Sequence, residues 1–236
     1  MSNIQGIIFD YGGTIDSCGD HWATVLRKAY EICIPSYNLG LLDFTDAYAY
    51  AEKTLNRDKL VGNDFTFEQT MKLKIELQFA RLAELDSEAE DIPLEKAAEI
   101  SRYCRDFASR CIEIARPTLD YLTWRYPMVL VSNFYGNLNT VLREFDLDAY
   151  FLDVVESSVV GLYKPDPAIF LRGAEILGIE PENLLVVGDS LTKDILPAEK
   201  AGFKTAWLKG RQWYGDAPAP KRPDVIRNLD ELQKLY

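Results

Sequence analysis

The stretch Gly6-Ile7-Ile8-Phe9-Asp10-Tyr11-Gly12-Gly13-Thr14 decides how this chain is read. An unbroken apolar run stops at a carboxylate, and two glycines follow at once. Continuous rather than alternating apolarity marks a parallel strand covered on both faces. Three further runs behave alike: Met128–Val131 before Ser132, Leu184–Val187 before Gly188, and Thr205–Leu208 before Lys209. A fifth, less regular candidate is Phe151–Val155. Helical spacing separates most of them, as over Ala168–Leu177 and Asp194–Ala201, with Asp166-Pro167 as a helix start and Gly178 as a stop. Strand and helix in alternation predict an α/β protein with a doubly wound, Rossmann-like parallel sheet. Such sheets bind ligands at the carboxyl ends of their strands. Here those ends carry Asp10, Ser132 and Gly188-Asp189.

Between Ser17 and Ala115 strand-like runs are missing. Helical spacing covers Ala23–Cys33, Asp46–Leu60, Phe67–Leu85 and Leu94–Ala115, and the acidic stretch Asp86–Asp91 before Pro93 reads as an exposed connection. The expected organisation is an α/β core from residues 1–16 and 116–236, with an all-helical cap, residues 17–115, inserted after the first strand. The stretch Lys209–Arg222, with Pro218 and Pro220, reads as an irregular surface loop.

Composition narrows the classes. Of 236 residues, 37 are acidic and 26 are Lys or Arg, giving a formal net charge of −11 that repels polyphosphate backbones, so nucleic acid is not expected as a partner. The N-terminus turns polar too early for a signal peptide, and no apolar run approaches the ~18 residues of a membrane span. Cys18, Cys33, Cys104 and Cys111 show no CxxC spacing and read as reduced thiols, with Cys104 and Cys111 on one helical face. A cytoplasmic protein is expected. No pattern fixes an oligomeric state.

Four segments carry candidate chemistry. Asp10 ends a buried strand, and the glycines after it permit a close backbone approach to a ligand. Val187-Gly188-Asp189-Ser190, with Asp194 five residues after Asp189, adds two carboxylates, making a hard-oxygen set suited to Mg²⁺. Ser132-Asn133 offers a hydroxyl and backbone N–H groups to an anion. Lys164 lies between turn-forming residues just before a helix start.

In this order the four segments resemble the haloacid dehalogenase-like superfamily: its aspartate loop at Asp10–Thr14, its Ser/Thr at Ser132, its lysine at Lys164, and its acidic loop at Gly188–Asp194. The resemblance spans the whole expected core, and the helical insert sits where that family carries a mobile cap that selects substrate. It implies that Asp10 attacks phosphorus and forms an aspartyl-phosphate. It implies Mg²⁺ held by Asp10, the backbone carbonyl of Gly12, Asp189 and Asp194. Lys164 would neutralise charge between nucleophile and phosphate, while Ser132 and the Asn133 amide hold phosphate oxygens. The expected activity is hydrolysis of a small phosphorylated metabolite.

One position departs from the family. Its phosphatases carry a second aspartate two residues after the nucleophile as general acid and base, where this chain has Gly12. That loss costs ~10²–10⁴ in rate. A good leaving group such as an acyl phosphate, another proton donor, or lost catalysis with binding retained would each account for it. His21, the only histidine, is the candidate donor. The family's phosphonatases, which cleave a C–P bond with a cap lysine, also have a small residue there. Lys53 and Lys59 lie in the insert, so that chemistry is a lesser alternative. The family's dehalogenases put a bulky residue there and dispense with Mg²⁺, which fits neither Gly12 nor the retained Asp189 and Asp194.

Overall fold

A computed structural model describes residues 4–213 and 222–236. Most of the expected irregular loop Lys209–Arg222 therefore lies outside the described residues. In chain order the elements are β1 (Gly6–Phe9), α1 (Trp22–Cys33), α2 (Leu41–Asp58), α3 (Phe67–Leu85), α4 (Glu95–Thr123), β2 (Met128–Ser132) and α5 (Leu138–Glu144). There follow β3 (Val154–Glu156), α6 (Ser157–Val160), α7 (Ala168–Leu177), β4 (Leu184–Gly188), α8 (Leu196–Lys200), β5 (Lys204–Leu208), β6 (Val225–Ile226) and α9 (Leu232–Leu235).

The strands form one parallel sheet in the order β3-β2-β1-β4-β5-β6. Their uniform apolarity conceals a period of two. Ile8, Val129, Val131 and Val186 face α7 and α8, where Ile169, Phe170 and Ala198 complete one core. Ile7, Phe9, Leu130, Leu185 and Val187 face the other way, into a core continuous with α1, α3 and α4. Both faces of the central strands are dry, and β1 and β4 accordingly carry no polar side chain. The chain doubles back on either side of central β1. Register sets Phe9 beside Leu130 and Val187, so β1, β2 and β4 end within two residues of one another.

Helices α1–α4 are inserted between β1 and β2. A capping box starts α3: Thr66 Oγ1 accepts from the Gln69 amide at 3.3 Å, and Gln69 Oε1 accepts from the Thr66 amide at 2.9 Å. The expected end of α4 at Ala115 is eight residues short. The buried stripe Ala108, Ile112, Ala115, Leu119 and Leu122 continues past Pro117, so burial outweighs the backbone bond that proline removes. One helix thus runs unbroken across the expected boundary at residues 115/116. The fifth strand forms later than expected, at Val154–Glu156, because Phe151 packs edge-on against Phe9 instead of joining the ladder. The helix expected over Asp194–Ala201 starts earlier, as a π-helical turn, Leu191–Ile195, that runs into α8.

Removing the α3 cap by Thr66→Ala is expected to lower unfolding free energy by about 1 kcal/mol, read as a lower urea midpoint at unchanged slope.

Candidate active site

Asp10, Asp189 and Asp194 follow or flank the aligned ends of β1 and β4, and their carboxylates offer oxygens that all lie within 4.8 Å of one another. All three residues are buried. Two glycines make the approach possible. Gly13 has φ +99°, and a Cβ on it would meet the Asp189 carboxyl at 2.5 Å; a Cβ on Gly188 would meet Asp194 Cβ at 2.5 Å. Asp194 sits in the π-helical turn, where its Oδ2 accepts from the Ser190 amide at 3.0 Å. Turns of this kind recur at functional sites.

Lys164 joins the carboxylates. Its Nζ donates to Asp10 Oδ1 and to Asp194 Oδ1, each at 2.7 Å, with 3% of the side chain exposed. Burial works against the ammonium, but the charges of Asp10 and Asp194 outweigh it and raise the lysine above its ordinary range. Ser132 Oγ donates to the same Asp10 oxygen at 2.9 Å, and Thr14 Oγ1 donates to Asp10 Oδ2 at 3.3 Å. The nucleophile candidate is therefore oriented from three sides. Asp189 is pushed up by burial and then by its neighbours Asp194 and Asp10; Asp194 is pushed up by burial, which Lys164 opposes. Three carboxylates facing one ammonium leave negative charge in excess. A divalent cation with a preference for hard oxygen ligands would balance it, so the donor set fits a metal of the Mg²⁺ type.

Asn133 has a further role through its side chain, beside the backbone amide expected to face an anion. Its side chain spans the Lys164 backbone, donating to the carbonyl at 3.1 Å and accepting from the amide at 2.9 Å. It holds the lysine's loop against the end of β2. His21 lines the same cavity and caps α1, its Nδ1 accepting from the Ala23 amide at 3.1 Å. Burial, with Lys193 and Lys74 nearby, lowers it to about 4, so at neutral pH the ring is uncharged with its proton on Nε2. A Cβ on Gly12 would meet nothing within 4 Å, and Gly12 does not have positive φ. The position is open space beside the acids.

Asp16 was not singled out from sequence. It is buried on the cavity wall, where Oδ1 accepts from the Gly13 amide at 2.8 Å and both oxygens accept from Trp22 Nε1 at 3.0 Å. Burial raises it to about 7, against the lowering effect of those donors. The available signal was an acid two residues past Thr14 in a loop that is otherwise small and apolar. Also missed were Glu52 and Lys74, an ion pair on α2 and α3 in the wall of the same cavity. Lys74 had a legible signal: it falls on the buried stripe Phe67, Met71, Ile75, Phe79 and Leu82 of α3.

Because Asp16 holds its proton far more tightly folded than unfolded, its contribution to stability is present below the ordinary carboxylate range and is lost as pH rises toward about 7. Between pH 5 and 7 the wild type is expected to lose stability more steeply than Asp16→Asn, by up to about 1.4 kcal/mol per pH unit, measured by urea unfolding of both at each pH.

The cavity over the acids has a volume of about 1030 Å³. Residues 4–202 match the model of the haloacid dehalogenase-like hydrolase family. Among curated proteins, the chain is 28% identical to the phosphoglycolate phosphatase of Salmonella typhimurium over 96% of its own length and 89% of that protein. It is 41% identical to the glyceraldehyde 3-phosphate phosphatase of Methanopyrus kandleri, over 34% of each chain. The match spans about a third to a half of the first curated relatives. Bacillus subtilis YfnB, solved with magnesium bound, has the same fold, with TM-score 0.58, 21% identity, and 99% and 98% of the two chains covered. On the family match across most of its length, this chain belongs to the haloacid dehalogenase-like hydrolases.

Proposed function

We propose that this chain is a Mg²⁺-dependent phosphatase of small phosphorylated metabolites, working through an aspartyl-phosphate on Asp10, with the helices inserted between β1 and β2 as its cap. The observation that carries this reading is the approach of Asp10, Asp189 and Asp194 to one another with Lys164 between two of them. The names of the two relatives, both phosphatases, point the same way.

Asp10 Oδ1 is fixed by Lys164 and Ser132, which leaves Oδ2, bonded only weakly by Thr14, as the attacking oxygen. Attack in line on phosphorus breaks the bond to the leaving oxygen, and water later hydrolyses the acyl phosphate. Lys164 offsets the repulsion between carboxylate and phosphate, and Ser132 is placed to donate to a phosphate oxygen once substrate competes for it. Asp10, Asp189, Asp194 and the Gly12 carbonyl would hold Mg²⁺, which when bound supplies charge neutralisation and orients the phosphoryl group. In such chemistry most of the acceleration comes from positioning and electrostatics. Four free thiols fit a reducing cytoplasmic setting, and among the described residues no helix is long and apolar enough to cross a membrane.

The open space at Gly12 favours a second reading within the first, slow turnover of esters that need a protonated leaving group. His21 does not fill the gap, since a ring lowered to about 4 has no proton to give at neutral pH and Nδ1 is already engaged. Acyl phosphates, whose leaving groups need no proton, suit this site better than alkyl esters. Phosphonate cleavage is disfavoured. Lys53 is an exposed residue of the cavity wall, and Lys59 ends α2 away from it. The deep lysine, Lys74, is paired with Glu52, whereas a Schiff base needs a free amine.

Asp10→Asn and metal chelation are each expected to abolish release of phosphate from acetyl phosphate in a steady-state assay; persistence of turnover in either would remove Asp10 or the cation from the mechanism. Gly12→Asp, for which the structure has room, is expected to raise kcat for alkyl phosphate esters by ~10²-fold or more, with a much smaller gain for acyl phosphates.

A further inference from the structure

The cavity has a second polar centre, on the side formed by α2, α3 and the loop after β2. Lys74 of α3 donates to Glu52 Oε1 of α2, and Tyr135, three residues past Ser132, donates to Glu52 Oε2 at 2.7 Å. Tyr48, one turn before Glu52 on α2, lines the same wall, and its ring centroid lies 4.4 Å from the Lys74 ammonium. Tyr48, Glu52, Lys74 and Tyr135 line the same cavity as Asp10 and Asp189. No step of phosphoryl transfer uses these four residues.

Their charges decide what they can recognise. The Lys74 side chain is 4% exposed and already carries a carboxylate partner, while the Glu52 side chain keeps 30% exposure toward the cavity. A second anionic group on the substrate, a carboxylate or another phosphate, would find the deep cation compensated and would be repelled by Glu52. Lys53, on the same helix as Glu52, is an exposed residue, suited to attracting anions and not to holding one at depth. A hydroxyl behaves oppositely: it donates to a carboxylate and accepts from an ammonium, so neighbouring hydroxyls can satisfy both members of the pair. The volume of about 1030 Å³ lies at the top of the ~300–1,000 Å³ range of small-ligand pockets, well beyond the needs of a two-carbon phosphate.

We infer that Glu52, Lys74 and Tyr135 form the specificity centre of this site, and that the group they hold is the neutral, polyhydroxylated part of a sugar or polyol phosphate. The inference rests on the phosphatase reading for the position of the phosphate, with the hydroxylated part extending from Asp10 toward α2 and α3. Tyr135 belongs to the loop that follows Ser132, and Glu52 to the helical insert, so the centre is complete only when the two parts of the chain are in contact.

The test is a substrate panel on the Mg²⁺-loaded wild type: hexose 6-phosphates and pentose 5-phosphates against phosphoglycolate and nucleoside 5′-monophosphates. Sugar phosphates are expected to show kcat/KM at least tenfold above both other classes. Glu52→Gln is expected to raise KM for the preferred sugar phosphate about tenfold with a smaller change in kcat, and to change phosphoglycolate kinetics less. Preference for phosphoglycolate or for nucleotides would overturn the inference, as would an equal effect of Glu52→Gln on every substrate. Calorimetric binding to Asp10→Asn separates the two readings. Tighter binding of sugar phosphates than of phosphoglycolate sustains the specificity centre even if the wild type turns nothing over, an outcome that would sink the phosphatase reading alone. Should Glu52→Gln not fold, the wild-type panel and this binding order decide by themselves.

Discussion

Three buried carboxylates and one buried ammonium in mutual contact form the constraint on which the rest of the molecule depends. Removing such groups from water costs several kcal/mol each, and their attraction recovers that cost only when geometry is close and the remaining lone pairs are used. The chain meets this condition through several inexpensive local devices. Glycines at 13 and 188 let the backbone pass flush against Asp189 and Asp194. Asn133 grips the Lys164 backbone from both sides, and Trp207 Nε1 donates to the Asp189 carbonyl at 2.8 Å. The sheet contributes rigidity by ending β1, β2 and β4 within two residues of one another. Residual negative charge is the part the protein leaves uncompensated, and a cation is the natural partner for it.

The core of this arrangement was legible because Asp10, Ser132 and Asp189 stand at the ends of runs that have to be buried on both faces, with Asp194 five residues further on. A polar residue at the end of such a strand has few places to go, and parallel strands end on one side. The assignments of Asp10, Ser132, Asp189 and Asp194 to one edge follow from that geometry, and family resemblance added Lys164. Asn133 shows what position alone left out: besides the backbone amide that position after β2 offers to an anion, its side chain holds the loop that carries Lys164. The length of α4 was missed for a related reason. Pro117 reads as a stop in one dimension, whereas in three the stripe on either side of it faces the same core.

The cavity wall opposite the acids was not legible at all. Which faces of α2 and α3 look into a cavity depends on how the helices sit over the sheet, and periodicity is silent on that. Lys74 was an exception in principle. A lysine on an apolar stripe needs a counter-charge or a path to water, and Glu52 supplies the first. Sequence position put these two residues 22 apart on different helices, so nothing short of the fold pairs them.

Gly12 and the Glu52 cluster bear on one question from opposite ends of the cavity. Losing a general acid removes stabilisation that acts only in the transition state, and uniform binding of substrate does not restore it. Contacts to a remote part of the substrate can compensate in part, because they fix the phosphate in line with Asp10 and so supply orientation. A site that lacks the carboxylate at position 12 therefore gains most from a well-held distal group. On the proposed reading the physical roles divide accordingly: the strand ends hold charge where phosphorus would be attacked, and Glu52 of the helical insert together with Tyr135 of the loop after β2 would determine which molecules are held still long enough for attack to succeed.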